Sequence, residues 1–559
     1  MVMTPNTGIG ARNPAGTPRS MTWWVRSYQW LASREMLACA AIFLLTLGLR
    51  AALLPWLPVP EPAIHDEFSY LLASDTYTHG RLTNPPHPFW QHFETFHELM
   101  QPTYASKYQP LQGLVLAFGQ KLFGEPWIGV YFSTGFMCAA ICWMLQGWIA
   151  PEWALFGALL CTLRVGLLSY WMNSYFGGSV AAIGGALALG ALARVLWRRQ
   201  FVHSITWALG LSILVLSRPF DAAVMGCATA AMLAWFLLKS HAALRAVCAR
   251  VAFPALLVFA TCAAGVAYND YRVTGHALTL PYQLNEQQYA VMSAFALIPR
   301  SPEPYYRHPV LRNYWVIWQE GLRKRDREHP LLMRLITLFV LSNFFFPLRL
   351  LLIPVLFWPY DLTSAQERAT AFLLLVFVVM MAVLVAPLPH YAAAFTGVFY
   401  LRALQGIKRL WSWRPGGKPV GLALGKLAVA LLLCVAVFGS MYTGKDAFGL
   451  LRGRDVTTEG FAADGSQFKP ARRSIVEFLN RQPGRQLVMV RYPADYIPLV
   501  DWVYNRADID GSPIVWAREM GEEQDRPFLN YFHDRRVWLL EPDRSSQLSP
   551  YPVKEGLRP

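Results

Sequence analysis

Apolar runs of roughly twenty residues, the length a bilayer demands of a crossing helix, recur from position 36 to 443. Low charge and sufficient length pick out 36–57, 127–149, 152–172, 178–197, 204–217, 219–238, 250–270, 336–358, 366–387, 391–407 and 422–443. The pattern therefore predicts a mainly α, polytopic membrane helix bundle of about eleven spans over 36–443. The run 111–123 (LQGLVLAFGQKLF) is short for a crossing and is expected to lie at the interface. After 444 the material changes. A helix is predicted near 470–482 and strands at 486–491, 513–517 and 537–541, with a helical stretch near 523–532 before the last strand. Alternation of that kind predicts a small α/β domain over 444–559.

Charge fixes the expected orientation. The links at Trp197–Arg199, Lys239–Arg250 and Lys408–Lys418 are basic, which places them in the cytoplasm. The region 1–35 carries Arg12, Arg19, Arg26 and Arg34 with no early apolar core, and is expected to be a disordered cytoplasmic tail. The loops 58–126 and 271–335 and the tail from 444 then share the outer face. For a bacterial chain this means the inner membrane, with a periplasmic C-terminal domain.

Composition narrows the classes. The 559 residues are 54% apolar, which suits neither a soluble domain nor a disordered chain. The formal charge is +15, but the bases cluster between apolar runs, so topology accounts for them and no nucleic-acid partner is implied. All eight cysteines, Cys434 among them, lie in or beside apolar segments, which predicts neither a disulfide framework nor a cysteine zinc site. No Walker-type or GxGxxG motif follows a strand.

Polar chemistry gathers in 58–110. This stretch has six acids (Glu61, Asp66, Glu67, Asp75, Glu94, Glu98), two bases (Arg81, Lys107) and five of the twelve histidines. Asp66 and Glu67 precede an amphipathic run (Phe68, Tyr70, Leu71, Leu72) that is expected to lie along the membrane surface. Two readings of the acid pair stand. Either it favours a helix N-terminus, or Asp66 is a general base whose neighbour Glu67 raises its basicity by repulsion. Lys107, with Tyr108 beside it, is either a snorkelling lysine or the cation for a lipid-linked phosphate. Arg218 sits in a turn between apolar helices, either paired with Asp221 or functional. His390-Tyr391 opens a span and could hold a phosphate or sugar, or form an interfacial aromatic pair. Arg307 and His308 are candidates by location. Tyr282, Tyr289, Tyr305, Tyr306, Trp315 and Trp318 could stack on sugars or form an aromatic belt. His92, Glu94, His97 and Glu98 have the ligand types for a divalent metal, but their spacing matches no standard zinc motif.

These motifs together resemble the membrane glycosyltransferases of the GT-C superfamily, in the bacterial branch related to protein O-mannosyltransferases and lipid A aminoarabinose transferase. The resemblance rests on Asp66-Glu67-Phe68-Ser69-Tyr70, on Lys107-Tyr108-Gln109-Pro110 through Lys121-Leu122-Phe123-Gly124, on Ser217-Arg218-Pro219, and on His390-Tyr391 with His for Arg. It covers roughly 36–443 and is strongest in 58–126. Tyr108 stands where the family often has proline, the insert 79–104 looks particular to a subgroup, and the tail resembles no familiar C-terminal domain. The resemblance implies transfer of a sugar from a polyprenyl-phosphate donor to an envelope acceptor, with inversion. Asp66 would then be the base, and Lys107 and Arg218 the phosphate ligands. Tyr70, Tyr108 and Arg307 would be further substrate contacts. A transporter or flippase is the main competing class, although no repeated half is visible; a non-catalytic membrane scaffold with a binding tail is the other.

Overall fold

A computed structural model describes residues 23–239, 244–346, 361, 363–427, 430, 471–496, 501–542 and 548–552. Among these, six helices are long and apolar enough to cross a membrane: Glu35–Ala52, Trp127–Trp148, Gly178–Arg198, Pro219–Lys239, Cys248–Thr274 and Ala365–Ala382. Two shorter apolar helices, His203–Val215 and Pro330–Phe345, accompany them. The eleven expected spans are thus not confirmed, and several runs depart from an unbroken helix for local reasons. The run 152–172 ends its helix at Cys161 and widens into a π turn, Thr162–Gly166. There the buried Arg164 donates to the carbonyls of Asn343 and Phe344 at 2.7 and 2.8 Å, so a charge sits where an unbroken span was expected. The run 391–407 begins as a 3₁₀ turn, Pro389–Phe395, before the helix Thr396–Ser412. The runs 336–358 and 422–443 pass into residues outside those described, as does Cys434.

Small side chains set the packing at the centre. The helix α1 (Gly178–Arg198), rich in glycine and alanine, is buried along nearly its whole length. It packs between Trp127–Trp148 and His203–Val215, the close approach that small residues permit between apolar helices. At Gly185 a Cβ would fall 2.0 Å from the Ala394 carbonyl oxygen. The 3₁₀ turn carrying His390 and Tyr391 therefore rests directly on α1.

Two expectations at the N-terminal side change. Residues Trp23–Ala32 form a helix inside the stretch expected to be disordered, its Tyr28 hydroxyl donating to the Glu152 carbonyl at 2.5 Å. The run after Asp66 is a helix, α2 (His65–Thr78), but it does not lie on a membrane surface. Phe68 and Leu72 are buried against side chains of the C-terminal domain, because that domain covers the helix face opposite the bundle.

The C-terminal domain follows the predicted order: helix 471–480, β3 (Arg485–Val490), β4 (Ile514–Arg518), helix Glu522–Tyr531 and β5 (Arg535–Leu540), where β1 (Glu98–Leu99) and β2 (Ala105–Ser106) form a small antiparallel pair in the loop. β6 (Leu548–Pro550), not foreseen, adds antiparallel to β5, giving the order β4-β3-β5-β6 with β3 parallel to both neighbours. A fully buried ion pair inside the domain anchors the loop through a hydrogen bond. Asp501 pairs with Arg518, accepts from the Tyr492 hydroxyl, and accepts from Thr95 Oγ1 at 3.0 Å.

Gly185→Ala is expected to destabilise the bundle by about 1–3 kcal/mol through overpacking. Thermal unfolding in detergent measures it, and an unchanged midpoint would show that the seam can relax.

Candidate active site

The loop is built so that one acid is structural and its neighbour is free. Glu67 is buried, and its carboxylate accepts from the backbone N–H of Ala63 (3.0 Å), Ile64 (3.1 Å) and Tyr175 (3.1 Å). Those bonds cap α2 at its N-terminus and tie it to the turn at 173–178. Glu67 does not line the cavity. Asp66, one residue earlier on the helix, does.

That cavity has a volume of about 470 Å³. Around it the structure brings together Asp66, Tyr70, Lys107, Tyr108, Arg218, His390 and Tyr391, from four separate parts of the chain. Asp66 keeps 25% of its side chain accessible, whereas Tyr70, Lys107 and His390 are buried. One oxygen, Oδ1, accepts from the Tyr108 hydroxyl; Oδ2 lies 3.9 Å from His97 Nε2. His97 adopts φ +62°, a left-handed conformation that non-glycine residues rarely take. Burial, with Lys107 and His65 adding to it, pushes the His97 imidazole well below its usual range, so the ring beside Asp66 is neutral.

Lys107 is 3% exposed. Its ammonium stands 4.5 Å from the Tyr282 ring centroid, 5.4 Å from Trp315 and 5.5 Å from Tyr108, within cation–π range of all three. Burial lowers its pKa, opposed by Glu286 and then Asp66; burial correspondingly raises that of Glu286, opposed by Lys107. Arg218 spreads its guanidinium over the Tyr391 ring at 4.8 Å and closes no salt bridge with Asp221, whose Oδ2 is buried without a hydrogen-bond partner. His390 shares a hydrogen bond with the Tyr170 hydroxyl at 2.8 Å and stacks on Phe176.

Other candidates fall elsewhere. Arg307 lies over Trp90 at 4.6 Å, with Glu94 at 3.6 Å, and does not line the cavity. His92, Glu94 and His97 do not converge. His92 Nε2 meets Asp525 at 3.1 Å, Glu94 accepts from Tyr289 at 3.0 Å, and His97 faces Asp66 and Tyr314. Among the described residues no group of three such ligands could hold a metal, so these residues do not fit one.

Sequence reading missed Glu286 and Tyr314. Tyr282 and Glu286 lie four residues apart on the helix Pro281–Tyr289 and so share a face, a spacing visible in the sequence. Tyr314, by contrast, reaches the cavity from a π turn, Asn313–Trp318, which no propensity pattern announces.

The fold that holds this cavity has solved counterparts among membrane proteins. The chain is similar to ArnT from Cupriavidus metallidurans bound to undecaprenyl phosphate, at 11% identity over 94% of each chain and a TM-score of 0.50. It is also similar to the apo state of that protein (12%, 93% of each chain, TM-score 0.49). A third likeness is to the Archaeoglobus fulgidus oligosaccharyltransferase in complex with Zn and sulfate (11%, TM-score 0.45). The match takes in 81% of this chain and spans 60% of that longer protein. At such identities the likeness is one of fold. No family model matches the chain, and no curated protein matches its sequence.

Two buried imidazoles make the loop face sensitive to acid. Burial lowers His65 from 6.5 to about 4 and His308 to about 3. Their folded pKa values lie below the unfolded one, so the unfolded chain takes up protons first, and stability is complete above pH 6.5 and lost as pH falls toward 4. Unfolding midpoints at pH 7.5 and 5 should show that loss, blunted in a His65→Asn, His308→Gln variant. Equal losses in both proteins would place the sensitivity elsewhere.

Proposed function

We propose that the chain is an integral membrane glycosyltransferase of the bacterial inner membrane that moves a sugar from a polyprenyl-phosphate donor to an envelope acceptor. The observation that supports this reading is the cavity that the Asp66 carboxylate shares with buried Lys107 and half-buried Arg218. Its remaining wall is largely apolar, with Phe220, Phe295, Leu322, Leu384, Val385 and Leu388, a surface suited to an isoprenoid chain. The fold shared with a protein solved with undecaprenyl phosphate supports the same donor class.

In this scheme Asp66 accepts the proton of the acceptor hydroxyl as its oxygen attacks the anomeric carbon. The bond from that carbon to the phosphate oxygen breaks, and the electron pair leaves with the polyprenyl phosphate. Lys107 and Arg218 stabilise the charge that develops there, so the leaving group needs no protonating acid. Attack opposite the departing phosphate inverts the anomeric centre. Tyr70, Tyr391 and His390 complete the walls around the donor. Glu67 acts at one remove, by fixing the helix that presents Asp66.

Asp66→Asn should abolish sugar transfer with folding intact, and full activity would remove the base assignment. Lys107→Ala and Arg218→Ala should each weaken donor binding by roughly ten- to a hundredfold, as losing a hydrogen bond to a charged group does. Titration with a polyprenyl phosphate reads this, and unchanged affinity in both variants would make the cations structural. Cysteine labelling from either side of the membrane checks that the C-terminal domain is periplasmic.

A further inference from the structure

We infer that Tyr108 is a positioning residue that orients the Asp66 carboxylate and sets its proton affinity, an inference that rests on the transferase reading above. The hydroxyl donates to Asp66 Oδ1, which leaves Oδ2 as the oxygen for an acceptor proton. The phenol is itself fixed. Its backbone N–H donates to Ser106 Oγ at 3.1 Å, and its ring stacks on Tyr70 with centroids 4.5 Å apart at 25°. That same ring forms one wall around the Lys107 ammonium. One side chain thus touches both the base and the phosphate ligand.

Burial and the adjacent Asp66 keep the phenol protonated, so it remains a donor whenever the carboxylate is charged. Other groups also face Asp66. His65 and Tyr70 come from its own helix, and His97 and Lys107 from the loop. Tyr282 comes from the helix Pro281–Tyr289, Tyr314 from the π turn and Tyr391 from the 3₁₀ turn. His97, at 3.9 Å, is neutral and shows no hydrogen bond to the carboxylate. Tyr108 is therefore the contact through which the basicity of Asp66 can be altered without changing a formal charge.

The test is the pH profile of transfer by the full-length protein, with an undecaprenyl-phosphate sugar as donor probe. Tyr108→Phe keeps the ring and loses the donor. The acid limb of kcat should move up by about one unit, with kcat roughly ten- to a hundredfold lower and donor KM within about twofold. A 3,5-difluorotyrosine at 108, a stronger donor, should move the limb the other way. An acid limb unmoved in both, or a loss confined to donor KM, would overturn the proposal and leave the phenol a wall of the pocket. Infrared titration of the Asp66 carboxylate, assigned by difference from Asp66→Asn, needs no turnover. A raised midpoint in Tyr108→Phe supports the positioning role even if transfer itself fails, and an unmoved midpoint overturns it.

Discussion

Three backbone N–H groups held by one carboxylate fix the geometry of this molecule. Glu67 accepts from Ala63, Ile64 and Tyr175, joining the entry of the loop to a turn of the helix bundle across more than a hundred residues of sequence. A buried carboxylate is tolerable only with such donors. Once they are satisfied, the rotation of α2 is determined and the preceding residue must face the cavity. The division of labour within the acid pair follows from this. One acid is spent on structure, which leaves the other accessible for chemistry.

The second constraint is the cover. Between the helix bundle and water lies an α/β layer whose Asp501–Arg518 pair is fully buried, with Arg518 also donating to the Glu94 carbonyl at 2.5 Å. The loop that carries Asp66 and Lys107 is therefore packed on both sides. Lys107 sits where water barely reaches, and charge in such a place acts through a weakly screened field.

Much of this was legible in the residues. The strands near 486–491, 513–517 and 537–541 appear within two residues of their observed limits, because short β-branched and aromatic runs bounded by turns carry a strong local signal. Asp66, Lys107, Arg218 and the His390-Tyr391 pair, each legible as polar residues beside an apolar run, line one cavity. What escaped depends on tertiary contact. Glu67 and Asp66 are indistinguishable until the partner at Tyr175 is known. The broken helix at Thr162–Gly166 hides in an apolar run, and Tyr314 enters the cavity only through a π turn. His92 and Glu94 share ligand chemistry with His97, yet a left-handed backbone at His97 turns its ring away from theirs.

The absence of room at Gly185 decides which wall of the cavity is fixed. With the carbonyl of Ala394 seated against bare backbone, the shelf bearing His390 and Tyr391 is fused to the most deeply buried helix and has no independent travel. The facing wall is built differently, since the segment 281–328 supplies Tyr282, Glu286 and Trp315 from short helical pieces, none of them seated on that helix.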